Sequence, residues 1–72
     1  DRLRALREAY ETLTPREKEV LALLIGGGLN KQIAARLGVA EVTIKVHRHN
    51  IMKKMCVRSM VSLARIFEEL AI

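Results

Sequence analysis

Apolar residues recur along this chain at three- and four-residue steps, the spacing of one helix face, and no segment alternates as a strand would. Leu3, Leu6, Tyr10 and Leu13 predict a short lead-in helix over residues 1–12. Thr14-Pro15-Arg16-Glu17 then reads as a helix start. Thr14 sits at the cap, Pro15 suits the first helical position, and Glu17 is placed to reach back in a capping box. This second helix carries Val20, Leu21, Leu24 and Ile25 and stops at Gly26-Gly27-Gly28. Asn30 is the expected cap of a third helix built on Ile33, Ala34 and Leu37, which Gly38 ends in a left-handed conformation. A fourth begins near Glu41 or Val42, with Ile44, His47 (as a packed ring), Ile51 and Met55 facing inward. Ser59 caps a last helix carrying Val61, Leu63, Ala64, Ile66, Phe67 and Leu70. The pattern predicts an all-α fold.

With 72 residues, half of them apolar and 3% aromatic, the chain forms one small domain with a core of aliphatic side chains. A domain this short leaves little room for a deep, water-excluding pocket, which argues against an enzyme. Neither His47 nor His49 has a carboxylate at a helical neighbour position, and the glycine run lacks the Lys-Ser/Thr of a phosphate-binding loop. The two histidines stand two residues apart on different helix faces, so no metal site is expected, and no cofactor or small-molecule substrate. One cysteine, Cys56, excludes an internal disulfide and a Cys-rich zinc site; it fits a reducing compartment and points to the cytoplasm. Val20–Leu29, the longest run without a polar side chain, is ten residues, against about 20 for a membrane span. No signal-peptide pattern opens the chain, and the absence of an initial Met suggests a piece of something longer.

Charge changes the picture more than size does. The net charge is +5, and its distribution is uneven. Between Asn30 and Arg58 stand seven basic residues (Lys31, Arg36, Lys45, Arg48, Lys53, Lys54, Arg58) against one acid, Glu41, while the rest of the chain holds six basic and seven acidic residues. The excess lies on the third and fourth predicted helices, which a short glycine-initiated turn joins. That is the helix-turn-helix layout, in which the second helix is offered to the DNA major groove. Ile33, Leu37, Val39 and Ile44 are placed to lock the angle between the two. Lys45, Arg48, His49, Met52 and Lys53 then share the outward surface. Lysine donors suit guanine O6 and N7 or phosphates, and Val46 suits a thymine methyl.

Leu13-Thr-Pro-Arg-Glu-Lys-Glu-Val-Leu21, Asn30-Lys-Gln-Ile-Ala34, Leu37-Gly38-Val39, and Thr43-Ile-Lys-Val-His-Arg48 through Asn50-Ile51 and Lys54-Met55 resemble the LuxR/FixJ/NarL family. The likeness is greatest to the C-terminal DNA-binding domain of two-component response regulators, and covers roughly residues 13–66. It implies a four-helix bundle containing a helix-turn-helix, which divides the chain into a lead-in helix (1–12) and a DNA-binding domain (13–72). By position, Lys45, Val46 and His49 match the family's base contacts. Lys31, Thr43, Arg48, Asn50 and Lys53 match its backbone contacts. The family binds double-stranded DNA as a homodimer through the last helix, here Ser59, Val61, Ser62, Arg65 and Ile66. An upstream receiver or ligand-sensing domain is also implied. The chain departs from the pattern at Ala40, where Ser or Thr usually caps, and at Gly28-Leu29 before Asn30. It departs again at Cys56, where glycine is common, and at His49, a variable site.

Two other readings remain open. One is promoter binding like that of the fourth region of a sigma factor, although Thr43-Ile-Lys-Val-His followed by Arg-His-Asn-Ile departs from its pattern. The other is a protein-interaction or dimerisation module using the last helix. A membrane-surface helix is disfavoured, because the apolar side of residues 44–55 is needed to close the core.

Overall fold

The computed structural model describes residues 1–71, which hold five helices and no strand: α1 (Arg2–Glu11), α2 (Pro15–Ile25), α3 (Asn30–Leu37), α4 (Glu41–Lys54) and α5 (Met60–Leu70). Residue 72, the end of the expected domain, lies outside the described residues.

The start of α2 follows from its sequence. Glu17 N–H donates to Thr14 Oγ1 at 3.1 Å, and Thr14 N–H donates to Glu17 Oε1 at 2.9 Å, so both halves of the capping box are made. Pro15 at the first position has no N–H to satisfy. Val20, Leu21 and Leu24 turn inward and meet α3 and α4. The start of α3 differs from expectation. Leu29 holds the cap position and Asn30 is already helical. Leucine has no acceptor to offer the first-turn amides, so only the reverse arm forms, Leu29 N–H donating to Gln32 Oε1 at 3.1 Å.

Gly38 ends α3 with φ +70°. Its N–H donates to Ala35 O, and Val39 N–H donates to Ala34 O at 3.0 Å, the paired closure of a Schellman turn. Only three residues separate α3 from α4. Ile44 and Ile51, both 0% exposed, and Met55 hold α4 to the core, with half-buried Leu37 and Val39 packed beside them. His47, expected as a packed ring, is half-buried at the edge of this stripe. Ala40 precedes α4 with no side-chain cap, leaving Thr43 N–H bonded to Ala40 O.

α4 ends in a second closure of the same type. Cys56 N–H donates to Lys53 O and Val57 N–H to Met52 O, with Cys56 itself at φ +56°. The side chain is exposed, at the position where the family commonly has glycine. The backbone requirement, not packing, dominates that position.

Ser59 caps α5, its Oγ accepting from Ser62 N–H at 3.2 Å. Leu63, Ile66 and Leu70 face the core, and Phe67 is half-buried. Two expectations need correction here. Val61, placed on the apolar stripe, is 70% exposed. Ile66, placed on the dimer face, is 7% exposed and belongs to the core, being three residues from Leu63 and four from Leu70. α1 lies against α5, and its Leu6, Ala9 and Tyr10 are half-buried against the core. Arg2 pairs with Glu69, and the Lys18 ammonium sits 4.8 Å from the Tyr10 ring centre. Leu13, just past α1, is buried with the domain core.

A non-glycine residue in the left-handed region costs roughly 1–2 kcal/mol, and glycine returns part of that as unfolded-state entropy. Cys56→Gly is therefore expected to stabilise the domain by about 0.5–1 kcal/mol, raising Tm by several degrees. Thermal unfolding followed by circular dichroism checks this, and a lower Tm would mean the thiol makes a contact that matters.

Candidate nucleic-acid interface

The inward phase of Ile44, Ile51 and Met55 dictates what α4 shows to solvent. Glu41, Lys45, His49 and Lys53 stand four residues apart, so they form one outward row; all four are exposed. Beside it lie Val42, 64% exposed, and Val46, 54% exposed. Lys45, Val46 and His49, the residues matched to base contacts, thus share one solvent face. Of the residues matched to backbone contacts, Lys53 and Lys31 are exposed, whereas Thr43, Arg48 and Asn50 are half-buried on the flanks of α4.

Arg48 and Met52, expected fully on the outward surface, are set back. With Asn30, Lys45 and His49 they line an open recess of about 400 Å³ between α4 and the start of α3. A second open recess, about 480 Å³, shares Asn30 and Arg48 and adds Lys31, Glu41 and the glycine turn after α2. The first turn of α3 therefore stands beside two cations. Lys45 Nζ lies 3.7 Å from Glu41 Oε2, with the Lys45 side chain mostly and the Glu41 side chain partly in water.

Lys54 is a different kind of cation. Its ammonium is 2.7 Å from Glu17 Oε1 and 3.5 Å from Thr12 O, and the Glu17 side chain is only 5% exposed. Burial alone would raise the Glu17 pKa. The Lys54 hydrogen bond, the Thr14 N–H and hydroxyl, and the Lys54 charge outweigh it and hold the carboxyl below its ordinary 4.5. One ammonium thus joins the exit of α1, the first turn of α2 and the last turn of α4. Counting Lys54 with the free basic residues overstates the charge this surface offers. The signal was its phase: Lys54 falls outside the outward row and next to buried Met55. The exposed Val42 was also missed, though it stands four residues before Val46. Glu41 was counted only as an acid and not as a partner of Lys45.

Among the described residues no cluster of His, Cys, Asp and Glu is arranged to hold a metal ion, and no helix is long and apolar enough to cross a membrane.

Two short helices joined by a glycine turn, with donors and methyl groups held outward on the second, define a helix-turn-helix regulatory domain. The chain belongs to the luxR family of bacterial regulatory proteins, whose family model matches residues 11–67. It is 51% identical over 69 residues to the response regulator protein TodT of Pseudomonas putida, covering 96% of this chain and 30% of that protein. It is 49% identical over 67 residues to nodulation protein W of Bradyrhizobium diazoefficiens, covering 93% and 30%. A solved structure of the response regulator StyR matches with a TM-score of 0.87 at 55% identity, over 89% of this chain and 32% of that one. The chain therefore spans about a third of the length of these relatives and has the form of a response regulator's output domain.

Removing the Lys54 charge leaves a buried carboxylate without its partner. Lys54→Met is expected to cost about 1–3 kcal/mol in denaturant unfolding, while leaving the salt dependence of any DNA binding unchanged. A reduced salt slope would return Lys54 to the free surface. Because the folded pKa of Glu17 is lowered, its contribution is present above about 4.5 and is lost as pH falls through the folded value. Glu17→Gln should be less stable at neutral pH and show a flatter loss of stability on acidification.

Proposed function

We propose that this domain binds double-stranded DNA sequence-specifically, as the output module of a transcription regulator, with α4 in the major groove. The observation that carries this reading is the outward row Lys45–His49–Lys53 with Val42 and Val46, held rigid by the buried Ile44, Ile51 and Met55. Lys45, Val46 and His49 face base edges. Lys31, Lys53 and Arg48, with the hydroxyl of Thr43 and the amide of Asn50, meet phosphates on either side. Phosphate contacts set register and base contacts set sequence, so the two groups have separable consequences.

Two copies bind inverted half-sites, meeting through the exposed side of α5. Val61, Ser62 and Arg65 form that contact with Ser59 at its edge; Ile66 supports it from inside the core. In the whole protein a receiver-type regulatory domain precedes α1, as the response-regulator names of the relatives suggest, and the protein works in the cytoplasm without catalysis of its own.

The deciding experiment is selection of bound duplexes from a random pool, followed by titration of the selected site and a scrambled control. Lys45→Ala should cost about 1–3 kcal/mol on the selected duplex and relax preference at one position; equal loss on scrambled DNA would move Lys45 to the backbone. Lys53→Ala should weaken both duplexes alike and flatten the salt slope by about one unit. Val61→Glu should leave the fold intact and reduce dimerisation on DNA, whereas Ile66→Glu should unfold the domain. Analytical ultracentrifugation with circular dichroism separates them, and an unchanged dimer for Val61→Glu removes α5 from the interface. Binding to no duplex at low salt would favour a protein-interaction module instead.

A further inference from the structure

Glu41 is the sole acid between Asn30 and Arg58 and the first residue of α4, exposed at the leading end of the outward row. A carboxylate there opposes a polyanion, and its ion pair with Lys45 is of the exposed i,i+4 kind that adds little stability. A negative charge in the first turn suits the helix dipole, but that purpose does not require a partner cation on the same row. The pair places an acceptor and a donor side by side, 3.7 Å apart, both reached by solvent, with Glu41 at the edge of the recess that Lys31 and Arg48 line.

Every base pair presents the matching arrangement in the major groove. The keto oxygen of guanine or thymine and the amino group of cytosine or adenine are hydrogen-bonded to each other, so they lie about 2.9 Å apart. An ammonium set against the keto oxygen and a carboxylate set against the amino group fit one orientation of the pair and repel the reverse. Guanine adds N7 as a second acceptor beside O6, which favours G·C over T·A beneath Lys45.

Resting on the DNA-binding reading above, we propose that Glu41 and Lys45 act as one unit that reads the strand orientation of a single base pair, Lys45 on guanine and Glu41 on the amino group of its cytosine. Glu41 is then a specificity residue that also restrains indiscriminate binding. Its loss should raise affinity for random DNA while lowering discrimination, a combination that a role in helix stability alone does not produce.

The test compares the wild-type domain with Glu41→Gln, both verified as folded by circular dichroism, in selection from a random duplex pool. The selected duplex is then titrated beside a version with that one G·C pair reversed. Wild type should prefer the forward duplex on the order of tenfold. Glu41→Gln should lose most of that preference and bind scrambled DNA several-fold more tightly. If wild type enriches a sequence but Glu41→Gln enriches the same one at every position, the paired reading is overturned and the DNA-binding role stands. If Glu41→Gln changes affinity by the same factor on every duplex, Glu41 is a repulsive charge only and the proposal is likewise overturned. If wild type enriches no sequence at all, the DNA-binding reading itself fails.

Discussion

The structure depends on the burial of one side of α4. Ile44 and Ile51 have no solvent contact and Met55 almost none, so the helix cannot rotate about its axis without exposing aliphatic surface. Fully burying each such side chain stabilises the fold by roughly 1.5–3 kcal/mol, a large share of what a domain this small can hold. That constraint fixes the opposite face in space. Lys45, His49 and Lys53 add little stability from where they stand; they point outward because their neighbours in sequence must point inward.

The short link between α3 and α4 works to the same end. Gly38 turns the chain at a positive φ, and the two bonds from Gly38 and Val39 return to the last turn of α3. Half-buried Leu37 and Val39 then pack against the same core as Ile33 and Ile44. Backbone geometry and aliphatic contact agree on one angle between the helices, so the α4 surface is presented by a rigid support and not by a loop.

Much of this was legible in the sequence because the signals were local. Thr14, Pro15 and Glu17 specify the start of α2, Gly38 the end of α3 and Ser59 the start of α5, through bonds that span no more than five residues. Periodicity placed Ile44, Ile51 and Leu63 correctly. What was not legible required distance or degree. Ile66 and Val61 are both apolar residues on one short helix; Ile66 falls in phase with Leu63 and Leu70, and the packing of α1 and α2 on α5 covers that side and leaves Val61 out. Nothing near Lys54 in sequence reveals that Glu17, thirty-seven positions away, takes up its charge. Leu29 stands at the cap of α3 although its side chain is unsuited to it; Gln32 takes up the Leu29 N–H, and no side chain caps the first-turn amides. The outward face was readable, as four-residue spacing also gives the acid-led row and the valine pair, but the setting back of Arg48 and Met52 depends on how α3 packs beside α4.

The ammonium of Lys54 bonds at once to the carbonyl that closes α1 and to the carboxylate that opens α2. The last turn of α4 therefore lacks mechanical independence: fraying there releases a tether on the segment through which the chain arrives from its N-terminal side. That ion pair sits beside buried Met55, so charge and packing together hold the three chain segments at one point.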